Sequence, residues 1–241
     1  RVLYRDASSA AAAVSRVMAQ PATPTTLEFM DARSLELLRG NGAQVPDAGA
    51  MLLIDADGDD DTLPNILHAL AQAAEGEGLL ALDVAMDGSA REQLWAARRA
   101  LSPALRRIAP GKINEDVVVP VSRIPELVAG VQALSARFEL PIVTFGHAGN
   151  GNLHVNILYH PDDAGQNARA HAALPEVFAL ALALGGTLSG EHGIGLAKRA
   201  FMAQAFTPAT LAAMRAIKRA LDPDDILNPG KVLPDAEAAH R

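Results

Sequence analysis

The sequence predicts an α+β fold: an antiparallel sheet with helices, laid out as a duplicated ferredoxin-like domain and followed by a helical C-terminal segment. Three observations predict it. Short β-type runs alternate with alanine-rich helical stretches as far as Tyr159. The two halves of that region repeat nearly the same order of elements, as two strand–helix–strand units sharing one sheet would. Beyond Tyr159 the β signal vanishes and only helical patterns remain.

Alternation and turn residues place strands at Val2–Arg5, Thr26–Met30, Met51–Ala56, Leu79–Met86, Val117–Val121, Pro141–Gly146 and His154–Tyr159. Helical stretches lie at Ser8–Ala19, Ser34–Leu38, Thr62–Glu75, Ser89–Ser102 and Pro125–Phe138, then at Gly165–Leu184, Leu196–Ala205 and Pro208–Leu221. The polar end Asp235–Arg241 reads as frayed. No linker is evident, so residues 1–205 read as one body and residues 206–241 as a separate packing element.

The 241 residues are 49% hydrophobic, enough to bury a substantial core. A net charge of −7 and the absence of any basic run argue against nucleic acid and anionic membrane surfaces as partners. With no cysteine there is neither a disulfide nor a thiolate metal site, which suits a reducing cytoplasm. The chain is expected to be cytoplasmic or peripheral at the inner face of the membrane, with a homodimer as a possible assembly. It opens at Arg1, without a methionine, inside a structured segment, and is expected to be part of a longer protein.

Chemistry concentrates in two glycine-rich runs. In Phe145-Gly-His147-Ala-Gly-Asn-Gly-Asn152-Leu-His154 two histidines stand seven residues apart. On one continuous strand that separation would put them on opposite faces. The Gly149-Asn150-Gly151-Asn152 insert lets the strand reverse, so both can face one point. Asn156 shares a strand face with His154. The second run, Ser189-Gly-Glu191-His192-Gly-Ile-Gly195, adds a carboxylate and a third imidazole. Two imidazoles and a carboxylate form a common three-ligand set for a divalent ion with an open position. Neighbouring residues seldom both face one ion, so His192 reads as an adjacent base. The residues alone leave a plainer reading open, a hairpin and a helix start of no special role. As a dinucleotide fingerprint the second run fails, because its glycines are wrongly ordered and no acid follows at the right distance.

Other segments are weaker. Arg98, in Trp95-Ala-Ala-Arg98, and Lys112 could clamp a carboxylate, although charged helix residues are usually solvated. Asp55-Ala-Asp-Gly-Asp-Asp-Asp61 misplaces the glycine and final acid of a calcium loop and reads as a solvated turn. Leu221-Asp-Pro through Asn228-Pro-Gly-Lys231 has strong turn chemistry.

Taken in order, the two glycine-rich runs, the Trp95-x-x-Arg98 helix with Glu115-Asp116-Val-Val-Val-Pro120, and the Asn228-Pro-Gly-Lys231 ending resemble the C-terminal half of FAD-linked D-2-hydroxy acid dehydrogenases. That group contains D-lactate dehydrogenase, the glycolate oxidase flavoprotein subunit and D-2-hydroxyglutarate dehydrogenase, and the resemblance covers about residues 1–234. It implies that His147, His154 and Glu191 bind a divalent metal, usually zinc, and that His192 removes the hydroxyl proton. It implies substrate contacts at Arg98, Ser102, Lys112 and Asn156, and cofactor contacts at Asn152, Asn228 and Lys231. Residues 1–205 would be the substrate (cap) domain, and residues 206–241 would pack on an N-terminal FAD-binding domain. Without that domain the chain is expected neither to hold FAD firmly nor to turn over, and its electron acceptor is not readable. One departure concerns the metal: members often carry Asp where this chain has Asn150.

D-lactate or glycolate leads as substrate, with D-2-hydroxyglutarate as the alternative. Two rival classes stand beside the dehydrogenase. One is a non-redox module that holds a metal or a small acid. The other is a hydrolase in which His147, His154 and Glu191 activate water.

Overall fold

The structure is a computed structural model that describes residues 1–85 and 87–235. Strand β1 (Val2–Tyr4), helix α1 (Ala7–Ala19), β2 (Thr26–Asp31), α2 (Ala32–Gly40), β3 (Ala50–Asp55), α3 (Leu63–Ala74) and β4 (Leu79–Leu82) form the first unit. Its strands lie in the order β4-β1-β3-β2 with antiparallel neighbours, the ferredoxin-like arrangement with α2 inserted. Helix α4 (Gly88–Ala104) leads to the second unit: β5 (Gly111–Val118), α5 (Ile124–Phe138), β6 (Ile142–His147), β7 (Asn152–Tyr159) and α6 (Ala164–Ala183).

The second unit repeats the order as β6-β7-β5, and β2 pairs with β6 to make one seven-stranded sheet. Its fourth strand is reduced to a single bridge, Val118 with Thr187, after α6. The duplicated architecture expected from the element order is therefore present.

The seam between the units is short. Only Glu28–His147, Phe29–Gly146 and Met30–Phe145 are in register. Where the next rung would fall, the Asp31 carboxylate takes the Thr144 N–H at 2.7 Å and caps α2 through Ser34 N at 2.8 Å. One buried side chain thus starts a helix and fastens two repeats.

Side-chain alternation divides the core. Phe29, Leu52, Ile142, Val155 and Ile157 meet α1, α3, α5 and α6 on one face. Met30, Met51, Val143 and Phe145 meet α2 and α4 on the other. Along β5 and β7 that second face changes character. Asn114 and Asp116 of β5 share it with Asn152, His154 and Asn156 of β7, by the same alternation.

Several element bounds differ from the sequence reading. Strand β5 begins at Gly111, six residues before the expected Val117, because Lys112, Asn114 and Asp116 lie on the polar face and break the apolar signal. Strand β4 stops at Leu82, and Met86 lies outside the described residues. The helix expected at Leu196–Ala205 is split into α7 (Gly195–Lys198), a 3-10 turn at Arg199–Phe201 and α8 (Met202–Ala205). Helix α9 (Pro208–Leu221) follows, and its Leu211 is buried in the first-face core. Of the expected frayed end, residues 236–241 lie outside the described residues. No described helix is long and apolar enough to cross a membrane.

Candidate metal and acid–base site

The β6–β7 hairpin sets the site. After His147 the chain makes a 3-10 turn at Ala148–Asn150, and Gly151 closes it in the left-handed region at φ 74°. A Cβ on Gly151 would stand 1.9 Å from the Val119 carbonyl oxygen, so only glycine fits. The reversal puts His154 opposite Phe145 and Asn152 opposite His147, with both histidines on the polar face.

The second run arrives from the far edge of the sheet. With the fourth strand ended after one bridge, residues 189–192 fold over β5 onto Asp116. One Asp116 oxygen, Oδ2, accepts the backbone N–H groups of Gly190 at 2.8 Å, Glu191 at 2.5 Å and His192 at 2.8 Å. Ser189 Oγ donates to the same carboxylate at 3.1 Å. Gly190 is required for close approach, because a Cβ there would fall 2.6 Å from Asn152 Nδ2. Beneath this loop, Lys198 donates to Asp116 Oδ1 and lies 3.3 Å from Glu115. Burial alone would raise the Asp116 carboxyl, but the Lys198 ammonium and the His192 and Glu191 N–H groups hold it well below the usual carboxylate range.

Glu191 thereby reaches both hairpin histidines, 3.2 Å from His154 Nε2 and 3.8 Å from His147 Nε2. One ligand atom from each of the three residues lies within 4.8 Å of the others. His192 stacks on His154 with ring centres 5.3 Å apart. The set of two imidazole nitrogens and one carboxylate oxygen suits a divalent ion such as zinc. On the far side, Glu28 of β2 bonds His147 Nδ1, leaving Nε2 toward Glu191. A carboxylate bonded to the far nitrogen is the arrangement in which histidines commonly bind metals. The Glu28 contact raises the His147 pKa, whereas burial lowers that of His154.

Arg98 of α4 donates through Nε to Glu28 Oε2 at 2.6 Å and lies 4.8 Å over the Phe145 ring. Among the described residues, Nε is its only guanidinium nitrogen with a hydrogen-bond partner. Glu28, Trp95, Arg98, His147, Asn150 and Glu191 line a cleft of about 610 Å³.

The four buried side-chain N or O atoms without a partner among the described residues are all here: Asn114 Oδ1, Asn152 Oδ1, His154 Nδ1 and Asn156 Oδ1. Asn156 is fully buried and spends its amide N–H groups on the Val143 and His154 carbonyls, so its oxygen is an acceptor on the site face. Buried polar atoms are normally bonded, so these four on one face call for partners that the described residues do not supply.

Thus His147, His154, Glu191 and His192 converge, with Arg98, Asn152 and Asn156 around them. Ser102 is exposed one turn beyond Arg98, and Lys112 is half-buried on β5 with its pKa lowered by burial and then by Arg106. Neither bonds the histidine cluster among the described residues. Asn228 and Lys231 lie in the exposed turn after α9, and no hydrogen bond or ion pair joins them to Asn152. Sequence reading missed Glu28, Asn114 and Lys198, and saw Asp116 only as part of a motif. A lone acid inside the apolar strand Leu27–Met30 was the available signal for Glu28.

Residues 1–232 match the family described as FAD linked oxidases, C-terminal domain. The chain belongs to this family. This FAD-linked oxidase domain is 34% identical over 233 residues to glycolate oxidase subunit GlcD of Bacillus subtilis (strain 168), covering 95% of the chain and 49% of that relative. It is 30% identical over 239 residues to D-lactate dehydrogenase of Anaerostipes hadrus, covering 95% and 50%. It is 35% identical over 221 residues to D-2-hydroxyglutarate dehydrogenase of Xanthomonas citri pv. viticola, covering 88% and 46%. The chain therefore spans about half the length of the curated relatives it matches. Among solved structures, p-cresol methylhydroxylase with substrate bound superposes at a TM-score of 0.70 and 15% identity, covering 98% of this chain and 52% of that one, a likeness of fold.

Proposed function

We propose that this FAD-linked oxidase domain is the substrate-side part of a dehydrogenase that oxidises a D-2-hydroxy acid, of D-lactate or glycolate type, to the 2-oxo acid. The observation that carries the reading is the convergence of His147, His154, Glu191 and His192 on one polar face, beside buried polar atoms that have no partner among the described residues.

His147, His154 and Glu191 would hold a divalent ion. When bound, that ion supplies charge that steadies the substrate carboxylate and lowers the hydroxyl pKa. Arg98, with Nε fixed by Glu28, presents its terminal amino groups to the substrate carboxylate. Lys112 and Ser102, which do not line the cleft, would add contacts to a substrate carboxylate beyond it, and Asn156 Oδ1 would accept from a substrate hydroxyl. His192 accepts the hydroxyl proton on a ring nitrogen. FAD, when bound, supplies the acceptor for the hydride leaving C2. The exposed Ile217, Leu221, Ile226, Leu227 and Val232 would supply apolar contacts to an FAD-binding domain, and Asn228, Lys231 and Asn152 would supply polar ones to the cofactor.

The test is anaerobic flavin bleaching by the FAD-loaded protein that contains this chain, with D-lactate, glycolate and D-2-hydroxyglutarate compared. Bleaching by a short D-2-hydroxy acid, abolished by His192→Ala, is expected. Bleaching only by the five-carbon diacid would move the substrate to D-2-hydroxyglutarate. No bleaching, with zinc-dependent hydrolysis by the isolated chain, would replace redox chemistry with water activation.

A further inference from the structure

Helix α4 carries Trp95 and Arg98 to the cleft, yet packing holds that part of it only weakly. From Gly88 to Ala100 no residue is buried, and the first that is, Leu101, lies beyond Arg98. Leu94, Trp95 and Ala97 pack only partly against the second-face core. Trp95 lines both the cleft and a second cavity, of about 260 Å³, that also reaches Arg91 and Leu94. Polar contacts fasten these turns instead. Arg91 donates to Asp55 of β3 through Nε at 3.2 Å and Nη2 at 2.6 Å, and Trp95 donates its indole N–H to the same carboxylate at 3.1 Å. Arg98 donates to Glu28 of β2. Residues 91, 95 and 98 stand at i, i+4 and i+7, one face of a helix. Thr26 is opposite Asp55 and Glu28 opposite Leu53, so the two carboxylates are diagonal neighbours on one face of the sheet.

We propose that Asp55 is a positioning residue that docks the N-terminal turns of α4 on the sheet and thereby holds Arg98 where a bound carboxylate meets it. A carboxylate has acceptor sites enough for two guanidinium N–H groups and an indole N–H together, so one side chain fixes two residues a turn apart. Glu28 fixes Arg98 Nε, but a helix held at one point can pivot about it. The second anchor, one turn earlier, removes the pivot. The Trp95-Ala-Ala-Arg98 spacing gives each of the two side chains its own acid on neighbouring strands. Asp55 lines the second cavity and not the cleft, so it acts on the cleft only through the helix. This role depends on the reading of Arg98 as the substrate's carboxylate ligand, whereas the docking of α4 does not.

Asp55→Ala in the FAD-loaded protein that contains this chain tests both parts. Hydrogen-exchange mass spectrometry reads the docking. Peptides covering residues 88–100 are expected to exchange roughly tenfold faster, the loss of charge-assisted hydrogen bonds, while α2 is unchanged. Unchanged exchange over residues 88–100 overturns the proposal. Steady-state kinetics read the effect on Arg98. KM for the 2-hydroxy acid is expected to rise roughly tenfold with little change in kcat, because a carboxylate contact serves ground and transition states alike. In an Arg98→Ala background the same substitution is expected to leave KM within about twofold, since the group it acts through is gone. An unchanged KM, or an equal rise in both backgrounds, overturns the proposal. Arg91→Gln, at an exposed position outside the cleft, is expected to give the same pattern at smaller size and decides if Asp55→Ala does not fold. If no 2-hydroxy acid bleaches the flavin, the functional reading falls, and hydrogen exchange still decides whether Asp55 docks α4.

Discussion

Glu28 and His147 are cross-strand partners at the seam where the two ferredoxin-like units join, and the carboxylate of one bonds the imidazole Nδ1 of the other. The site is thus assembled by the pairing of the repeats. Its first histidine is oriented by the first unit, while the second unit supplies every other proposed metal and base group.

Glu28→Gln should therefore weaken metal binding without deleting a ligand. Loss of an outer carboxylate typically lowers affinity roughly 10–100-fold. Isothermal titration of zinc into wild type and variant measures it. Equal affinities would mean that Glu28 serves only Arg98.

Zinc content tests the ligand set itself. After incubation with zinc and desalting, about one equivalent is expected per chain by elemental mass spectrometry, following the one three-ligand cluster among the described residues. His147→Ala and Glu191→Ala should both lose it. A Glu191→Ala chain with unchanged zinc would mean that the carboxylate belongs to the acid–base machinery alone.

Gly151→Ala combines a left-handed φ with a Cβ placed 1.9 Å from the Val119 oxygen. Backbone strain of this kind costs roughly 1–3 kcal/mol before the clash is counted. A lower urea midpoint and loss of zinc binding should appear together. Loss of zinc at unchanged stability would instead show a local hairpin rearrangement.

Lys198→Met tests the buried ion cluster. Lys198 is 2% exposed and faces both Glu115 and Asp116. Removing one partner from such a cluster costs about 3–5 kcal/mol. Denaturant unfolding gives the number, and a change below about 1 kcal/mol would show that the backbone donors alone hold Asp116.

Tyr4 gives a pH signature far from the site. It is buried, donates its hydroxyl to Ala74 O at 2.6 Å, and burial pushes its pKa up to about 12 from 10.0. A folded-state pKa raised above the unfolded value gives stability that is complete below pH 10 and lost as pH rises through about 12. The rise corresponds to about 3 kcal/mol. Tyr4→Phe should be about 1 kcal/mol less stable at neutral pH. The difference should then narrow and reverse on the alkaline side. Parallel stability curves from pH 8 to 12 would contradict the assignment.

Much of this was legible in the chain. The hairpin reversal, with His154 and Asn156 on one face, followed from Gly149–Asn152 and the two-residue period of a strand. The grouping of Glu191 with the two histidines followed from ligand chemistry. Strand β5 was the main element cut short, because the residues that make it functional replace the apolar alternation that marks strands. Glu28, Asn114 and Lys198 escaped for a related reason. Each is an ordinary polar residue until a neighbour distant in sequence defines what it touches.

The sequence by itself determined the class of fold, the turn chemistry and the kinds of side chain available, because propensity, glycine conformations and strand periodicity are local. Tertiary structure decided the rest. Pairing β2 with β6 brought Glu28 to His147 across 119 positions. A fourth strand reduced to one bridge freed residues 189–192 to fold onto Asp116. Those outcomes depend on which surfaces are buried together, a competition among long-range contacts that no local window of the sequence contains.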